Sequence, residues 1–195
     1  METKTDRRIA KSRTAIQNAF LTLLSTRGFD AVTVKEIDEL ADVSRKTFYL
    51  HYVDKHDLLN AIITTRLDEL AIICEQKRGK GLVEGTVIWF CYFEERRDFF
   101  AALFATESTV SFRYRLLDFM MEQLGQKLEA VDPAKNTEVL RRFMGMAVLG
   151  IVEACVLGRL EQSTQAAAAE VGALLEQLIT SEHCRTKSKG PYTTV

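Results

Sequence analysis

The sequence predicts an all-α protein. Apolar residues recur at three- and four-residue spacing along nearly all of its 195 residues, which is the pattern of amphipathic helices. Two prolines and ten glycines are few for this length, and both residue types disfavour helix interiors. A helical period with few breaks indicates a chain built of successive helices.

The first predicted helix runs from about Asp6 to Thr26, and Gly28 just beyond it is a typical C-terminal stop. A linker is predicted at residues 77–81, and Asp132 with Pro133 forms the clearest later break. The other helices are predicted at 34–41, 45–51, 55–78, 83–95, 97–105, 109–130, 135–160 and 164–180. The polar residues 182–195 are expected to form a disordered tail.

Composition describes an ordinary globular protein, with 47% hydrophobic and 27% charged residues and a net charge of -1. The four cysteines lack C-x-x-C spacing, so we expect reduced thiols and no metal site or cofactor. No apolar run reaches the ~20 residues of a membrane span, and the polar start is not a secretory signal, so we expect a cytoplasmic location. Residues 1–60 hold ten Lys or Arg against nine Asp or Glu, so any binding to nucleic acid depends on local placement of charge.

Two helix starts follow each other closely after residue 32. Thr33 can cap one helix while Glu36, three residues on, bonds back to the Thr33 amide. Ser44 is a good cap for a second helix, and residues 40–43 supply a turn between the two. Two short helices joined by a tight turn are typical of a helix-turn-helix unit.

The second short helix begins with positive charge, although basic side chains at a helix N-terminus oppose the macrodipole. This arrangement indicates an external acceptor, and the opposite side, through Phe48 and Tyr52, is expected to pack against Ile37 and Leu40. In helix-turn-helix proteins the N-terminal residues of the second helix contact base edges. The candidates for base reading are Arg45, Lys46 and Thr47. A charged helix start that is only solvated remains the alternative.

Four residues at the margins of this unit are suited to contacts with DNA phosphates, which fix register without reading sequence. They are Thr33, Tyr49, His51 and Lys55. For His51, which lies beside aromatic residues, a purely structural role is the alternative.

Residues 9–59 together resemble the TetR/AcrR family of bacterial regulators. The residues that carry the resemblance are Gly28, Phe29, Asp30, Ala31, Val32, Thr33, Val34 and Ile37, then Ala41, Val43, Ser44, Phe48, Tyr49, His51 and Tyr52, and finally Asp54, Lys55, Leu58 and Leu59. The resemblance implies that Thr33, Tyr49, His51 and Lys55 hold phosphates and that Arg45, Lys46 and Thr47 face bases.

Two positions depart from the pattern of that family. Asp42 stands where a glycine is usual in the turn, and Asp tolerates left-handed backbone better than most residues, so the turn should survive. Leu50 is apolar near the reading face, where it either packs or meets a thymine methyl group.

Beyond residue 82 the chain is rich in aromatic residues and methionine, which are more often core than pocket. Their number leaves room for an apolar cavity between helices, and the family resemblance implies an effector there. The pocket candidates are Trp89, Phe93, Phe104, Phe119, Met120 and Phe143. Arg113 and Glu153 are candidates to select a polar ligand, with solvent exposure or an ion pair as the alternative.

The last two helices carry the features of a dimer seam. Gly150, Ala154 and Gly158 recur every fourth residue and bare a strip of backbone for another helix to approach. The last helix adds an apolar face through Val171, Leu174 and Leu178. Packing within one subunit is the alternative, whereas a two-fold homodimer is what a reader of palindromic half-sites requires.

The sequence therefore predicts an N-terminal three-helix DNA-binding unit at residues 1–55, joined by a long helix to a helical effector-binding and dimerisation domain at 56–181. The function expected is sequence-specific regulation of transcription, most simply by a repressor that a small-molecule effector releases from a palindromic operator. The alternatives are a helical enzyme and an adaptor that does not bind DNA. No P-loop, G-x-G-x-x-G or H-E-x-x-H motif supports an enzyme.

Overall fold

A computed structural model of the chain describes residues 4–77, 79–105 and 109–181. Within these ranges the regular structure is helical, and the all-α prediction is confirmed. The helices are α1 (Lys4–Arg27), α2 (Val34–Ala41), α3 (Arg45–His51), α4 (Lys55–Gln76), α5 (Leu82–Glu95), α6 (Arg97–Phe104), α7 (Val110–Val131), α8 (Glu138–Val156) and α9 (Thr164–Thr180), with a 3₁₀ turn at Pro133–Lys135. The predicted tail at 182–195 lies outside the described residues.

The first three helices pack around one apolar centre. Phe20 of α1, Ile37 of α2 and Phe48 of α3 are fully buried. Gly28 ends α1 with a φ of +74°, a left-handed conformation that costs a residue without a Cβ least, as the sequence predicted. The result is a small three-helix unit that contains both α2 and α3.

The long helix α4 connects this unit to the rest of the molecule. It starts at the Asp54 cap, whose side chain accepts hydrogen bonds from the amides of His56 and Asp57. Its 22 residues rise about 1.5 Å each, so it spans roughly 33 Å. Leu58, which lies near its first turn, and Leu70, which lies near its last, are both fully buried. One continuous helix therefore contacts both ends of the protein.

The C-terminal helices form a bundle in which α5 and α9 pack most intimately. A Cβ built on Gly172 of α9 would lie 2.6 Å from the Cα of Val83, so only glycine permits this approach. Aromatic rings fill the space between α5, α6 and α7, where Phe100 lies 4.6 Å from Phe93 and 5.8 Å from Phe112 between ring centroids. This aromatic packing is the main core of the bundle.

None of the described helices combines the length and the hydrophobicity that crossing a membrane requires. Cys74, Cys91 and Cys155 carry free thiols, and Cys184 lies outside the described residues.

Candidate nucleic-acid interface and ligand cavity

The two short helices begin at caps that the sequence predicted. Thr33 and Glu36 form a reciprocal capping box, in which the Thr33 amide donates to Glu36 Oε2 at 3.0 Å and the Glu36 amide donates to Thr33 Oγ1 at 3.3 Å. Ser44 Oγ accepts a hydrogen bond from the Thr47 amide at 3.1 Å. These caps fix where α2 and α3 begin, and with them the direction of every side chain on α3.

The turn between α2 and α3 depends on Asp42. Its φ of +52° is left-handed, and it is the one residue other than glycine with a positive φ in the described ranges. The next amide, of Val43, donates to the carbonyl of Asp38 at 3.1 Å and closes the end of α2. Aspartate therefore serves where glycine is usual, as predicted.

The outer side of α3 is free of the protein's own core. Arg45 and Lys46 are exposed, and the Arg45 guanidinium lies 5.8 Å from the centre of the Tyr49 ring. Leu50 is 74% exposed, so it does not pack within this chain. Thr47 is half-buried, and its Oγ1 lies 2.8 Å from Ser44 Oγ. The structure thus brings the base-reading candidates together on one accessible turn.

The inner side of α3 packs as expected, with one correction. Phe48 and Tyr52 are buried, and Ile37 meets them in the core. Leu40 was expected beside Ile37, but it is 53% exposed because the last turn of α2 carries it outward.

His51 is bonded to the first helix. Its Nε2 lies 2.8 Å from Ser12 Oγ, and it is half-buried. Burial lowers the pKa of His51 below its ordinary value, and the nearby Arg13 charge lowers it further. At neutral pH the imidazole is therefore mostly uncharged, so it is suited to a hydrogen bond with a phosphate but not to an ion pair.

Lys55 is bonded to the loop between α1 and α2. Its ammonium donates to the carbonyls of Phe29, Asp30 and Val32 at 3.1, 3.1 and 2.8 Å, and it lies 4.8 Å from the centre of the Phe29 ring. An ammonium has three hydrogens, so a phosphate contact from Lys55 requires one of these bonds to be released.

Asp38, which the sequence analysis did not single out, is a buried acidic residue of α2 near the candidate interface. The residue is 7% exposed, and its Oδ1 has no hydrogen-bond partner among the described residues. Burial raises the pKa of Asp38, while the charge of Arg45 opposes that rise. The Asp38 carboxyl is thus buried and within electrostatic reach of Arg45, which lies in the first turn of α3.

A cavity of about 540 Å³ lies in the C-terminal bundle, between α4, α5, α7, α8 and α9. This volume is within the range of small-molecule sites, about 300 to 1,000 Å³. Of the six pocket candidates, Trp89, Phe119 and Met120 line it.

The other three pocket candidates do not line the cavity. Phe93 and Phe104 are almost fully buried in the aromatic core, whose rings fill the space that a ligand would need. Phe143 is 59% exposed, because α8 turns it away from the bundle. The polar candidates Arg113 and Glu153 form an ion pair with an N–O distance of 3.1 Å, which is the alternative that the sequence left open for them.

The candidates for the dimer seam also fall into two groups, because some are exposed and others are not available to a second chain. Gly150, Leu174 and Leu178 are exposed, with no atom within 4 Å of a Cβ built on Gly150, and Ala154 is half-buried. Val171 instead faces the subunit's own core. Gly158 lies beyond the end of α8, where its φ of +66° forms the turn and Arg97 approaches it. Spacing in the sequence placed Gly158 on the strip, but the helix ends before reaching it.

An exposed apolar surface of α8 and α9 accompanies the seam candidates. Val139 is 80% exposed and Met146 54% exposed, and Phe143 lies between them on the same side of α8 by helical spacing. We call Val139, Phe143, Met146, Gly150, Leu174 and Leu178 the apolar face. Exposed hydrophobic residues grouped in this way are typical of an interaction surface.

Known proteins resemble this chain in both parts. A family model described as "Bacterial regulatory proteins, tetR family" matches residues 16–62, and one described as "Transcriptional regulator C-terminal region" matches residues 82–177. The first match contains α2, α3 and the start of α4. The second contains α5, α7, α8 and most of α9, which line the cavity.

Two Bacillus subtilis (strain 168) proteins are similar in sequence. The HTH-type transcriptional regulator YxbF is 34% identical over 70 residues, which is 35% of this chain but 18% of that protein, so the chain matches less than a fifth of YxbF's length. The HTH-type transcriptional regulator YvkB is 28% identical over 141 residues, which cover 64% of this chain and 74% of YvkB. A TetR transcriptional regulator from Streptococcus agalactiae 2603V has the same fold, with a TM-score of 0.68 at 24% identity over 88% of this chain and 97% of that one.

Proposed function

Because the chain belongs to the TetR family and is a DNA-binding regulator of transcription, we propose that it is a homodimeric repressor that a small molecule releases from a palindromic operator. The observation that carries the proposal is the exposed first turn of α3. Arg45 and Lys46 project there from a helix whose other side is fixed in the core by Phe48. A rigid helix with free basic side chains at its N-terminus suits entry into a major groove.

In this proposal the residues of the interface divide by role. Arg45, Lys46 and Thr47 read base edges, and an Arg or Lys in this position pairs best with the acceptors of guanine. Thr33, Tyr49 and His51 contact phosphates and set the register. Lys55 acts first through the loop whose carbonyls it binds, and so holds α2 in place for its own contacts.

The dimer forms through the apolar face. Two copies of α8 and α9 related by a two-fold axis would bury six exposed or partly exposed positions on each chain, Gly150 among them. Such a dimer presents two α3 helices to successive major grooves, which lie ~34 to 36 Å apart. A protein that acts on bacterial DNA in this way acts in the cytoplasm.

Release of the DNA depends on α4, which contacts both the DNA-binding unit and the cavity. Lys55 begins it at the loop before α2, and Cys74 near its end lines the cavity. In between, Glu69 accepts a hydrogen bond from Tyr92 Oη at 2.6 Å, which anchors the middle of α4 to α5, while Arg66 of α4 itself pairs with Glu69 at 2.8 Å. A ligand that displaces the cavity end would therefore tilt the helix about this anchor and move the reading unit.

The same geometry suggests a division of the chain into a reading unit at 1–55 and a regulatory unit at 56–181. The boundary falls at the start of α4, not at a flexible linker, so movement in one unit is transmitted to the other.

The test is a selection of genomic DNA fragments by the purified full-length protein at near-physiological salt, since affinity for DNA has meaning only at a stated salt concentration. The proposal predicts recovery of a palindromic sequence upstream of a gene. A reporter driven by that promoter should rise in activity when the regulator is deleted, whereas a fall would identify an activator. Recovery of no sequence above bulk DNA would contradict the proposal.

A further inference from the structure

The cavity is lined by positive charge without matching negative charge. Lys77 and Lys127 are among its described lining residues, which include no aspartate or glutamate. Two cations of like sign beside an apolar space oppose each other, and an anion would relieve that repulsion.

Lys77 is the more deeply placed of the two lysines. Burial lowers its pKa to about 8, and the charge of Lys127 contributes to the same effect, while Cys74 opposes it. Its ammonium donates to the carbonyl of Gly85 at 2.6 Å, which occupies one of its three hydrogens. The other two N–H groups of the Lys77 ammonium have no acceptor among the described residues.

A second donor with no acceptor lies in the same wall. Trp89 lines the cavity and is 7% exposed, and its indole Nε1 has no hydrogen-bond partner among the described residues. Buried donors without a partner are uncommon in proteins, so this indole is suited to donate a hydrogen bond to a molecule in the cavity.

The rest of the wall is largely apolar. Phe119, Met120 and Leu124 of α7 face the cavity together with Leu175 of α9. A ligand that matched this lining would carry one charged end and a larger hydrocarbon or aromatic body.

We propose that the cavity binds an amphipathic organic anion, a carboxylate with an apolar body, whose charged end lies at Lys77 and whose body lies between α7 and α9. Exposed Lys127 attracts the anion at the edge of the cavity, and Lys77 holds it within. Cations of the same shape are repelled by both lysines, and neutral alcohols supply no negative charge to balance that of Lys77. The inference rests on the proposed function only in treating this ligand as the effector.

Three probes of equal chain length test the charge preference: decanoate, decanol and decylamine. Binding to the full-length protein is measured by isothermal titration calorimetry at pH 7. The proposal predicts that decanoate binds about tenfold or more tightly than decanol, as a hydrogen bond to a charged group implies, and that decylamine binds least. Equal binding of decanoate and decanol, tighter binding of decylamine, or no binding of decanoate would overturn it.

Variants separate a ligand contact from a structural role. Lys77→Met should abolish the preference for decanoate over decanol while retaining decanol binding, and Lys77→Arg should restore the preference. Lys80→Met is the matched control, because Lys80 is exposed, pairs with Glu84 and does not line the cavity. A preference that survives in Lys77→Met would contradict the assignment, provided that circular dichroism reports an intact helical fold.

The dependence on pH gives an independent readout. Besides Lys77 itself, the titratable groups that face it are Cys74 on α4 and Lys127 on α7, and the described lining from α5, α8 and α9 contributes none. Decanoate favours the protonated amine, so its affinity should fall as pH rises above about 8 in the native protein and change much less in Lys77→Met. The same pH dependence in both proteins would exclude Lys77 as the anion's partner.

The DNA assay distinguishes the two proposals when one of them fails. If the protein recovers an operator but does not bind decanoate, the proposed DNA-binding function stands and the anionic ligand is rejected. Decanoate bound through Lys77 by a protein that recovers no operator would support the cavity assignment and reject the repressor.

Discussion

Ser12 Oγ and His51 Nε2 lie 2.8 Å apart, a contact that joins α1 to the last turn of α3. The contact fixes the C-terminal end of the reading helix, while the Ser44 cap fixes its start. Held at both ends, α3 presents its outer side chains at defined positions, which is what sequence recognition requires.

Replacement of Lys46 by alanine should weaken sequence discrimination. Lys46 is exposed, so the fold should be unaffected, and the loss of a base contact should cost ~1 to 3 kcal/mol of preference at one position of the operator. Fluorescence anisotropy with the operator and its single-base variants measures this preference at fixed salt. Lys80→Ala is the control for loss of a positive charge, and an unchanged ranking of sequences by Lys46→Ala would remove Lys46 from base reading.

Replacement of Tyr49 by phenylalanine should act differently. The ring would still lie beside Arg45, and only the hydroxyl proposed to contact a phosphate would be lost. Affinity should fall by a similar factor for all sequences, because phosphate contacts carry no sequence information. Tyr114→Phe, at an exposed tyrosine of α7, is the matched control. A change in the preferred bases would assign Tyr49 to base reading instead.

Replacement of Lys55 distinguishes a structural role, through its bonds to the loop before α2, from the proposed contact with a phosphate. Its three carbonyl acceptors predict that Lys55→Met lowers the free energy of unfolding by about 1 to 3 kcal/mol even without DNA, as expected for loss of hydrogen bonds to a charged group. Urea titration followed by circular dichroism measures it. Lys35→Met, at an exposed lysine of α2, should change stability little. If Lys55→Met is as stable as the native protein but binds DNA poorly, the lysine serves phosphates alone.

His51 predicts a pH dependence of stability. Its pKa is lowered by burial and by Arg13, so between pH 6.5 and that lower pKa the unfolded chain binds more protons at this site than the folded protein. Stability should therefore decline as pH falls below about 6.5, and the contribution should level off once the folded histidine is also protonated. The difference in urea midpoint between His51→Gln and the native protein, measured across pH, gives the contribution of His51 to this pH dependence. A constant difference would mean that the pKa of His51 is the same in the folded and unfolded states.

Replacement of Gly150 by leucine tests whether the dimer interface lies on α8. No atom lies within 4 Å of its Cβ position, so leucine fits within the subunit but should hold a second copy of α8 away. Light scattering should report a monomer for Gly150→Leu and a dimer for the control Gly79→Leu, which also adds a side chain in open space. A Gly150→Leu protein that remains dimeric would locate the interface elsewhere.

The helices and caps of the DNA-binding unit could be predicted because their signals are local. The capping box at Thr33 needs only a Glu three residues later, and the turn at Asp42 needs only a residue that tolerates positive φ. Such features depend on backbone hydrogen bonds within a few residues, so the sequence carries them directly. For that reason α2 and α3 begin and end at the predicted residues.

Burial and helix ends in the C-terminal bundle could not be predicted in this way, because tertiary packing decides them. Gly158 had the spacing of a seam residue but ends α8, whereas the close helix contact occurs at Gly172, where α5 meets α9. Phe143 and Phe93 are both aromatic, yet one is exposed and the other lies in the core. Nothing in the sequence predicted that Lys77 lines the cavity, because its surroundings include residues of α7, which is distant in sequence.

The central claim, that the first turn of α3 reads bases in the major groove, is tested most directly by methylation protection of guanine N7 on the selected operator. That atom lies in the major groove and accepts hydrogen bonds from Arg or Lys. We predict protected guanines in both half-sites with the native protein, and loss of protection at one position in each half-site with Lys46→Ala. Operator binding that leaves every guanine N7 open to methylation, or a protection pattern that Lys46→Ala does not change, would contradict the claim.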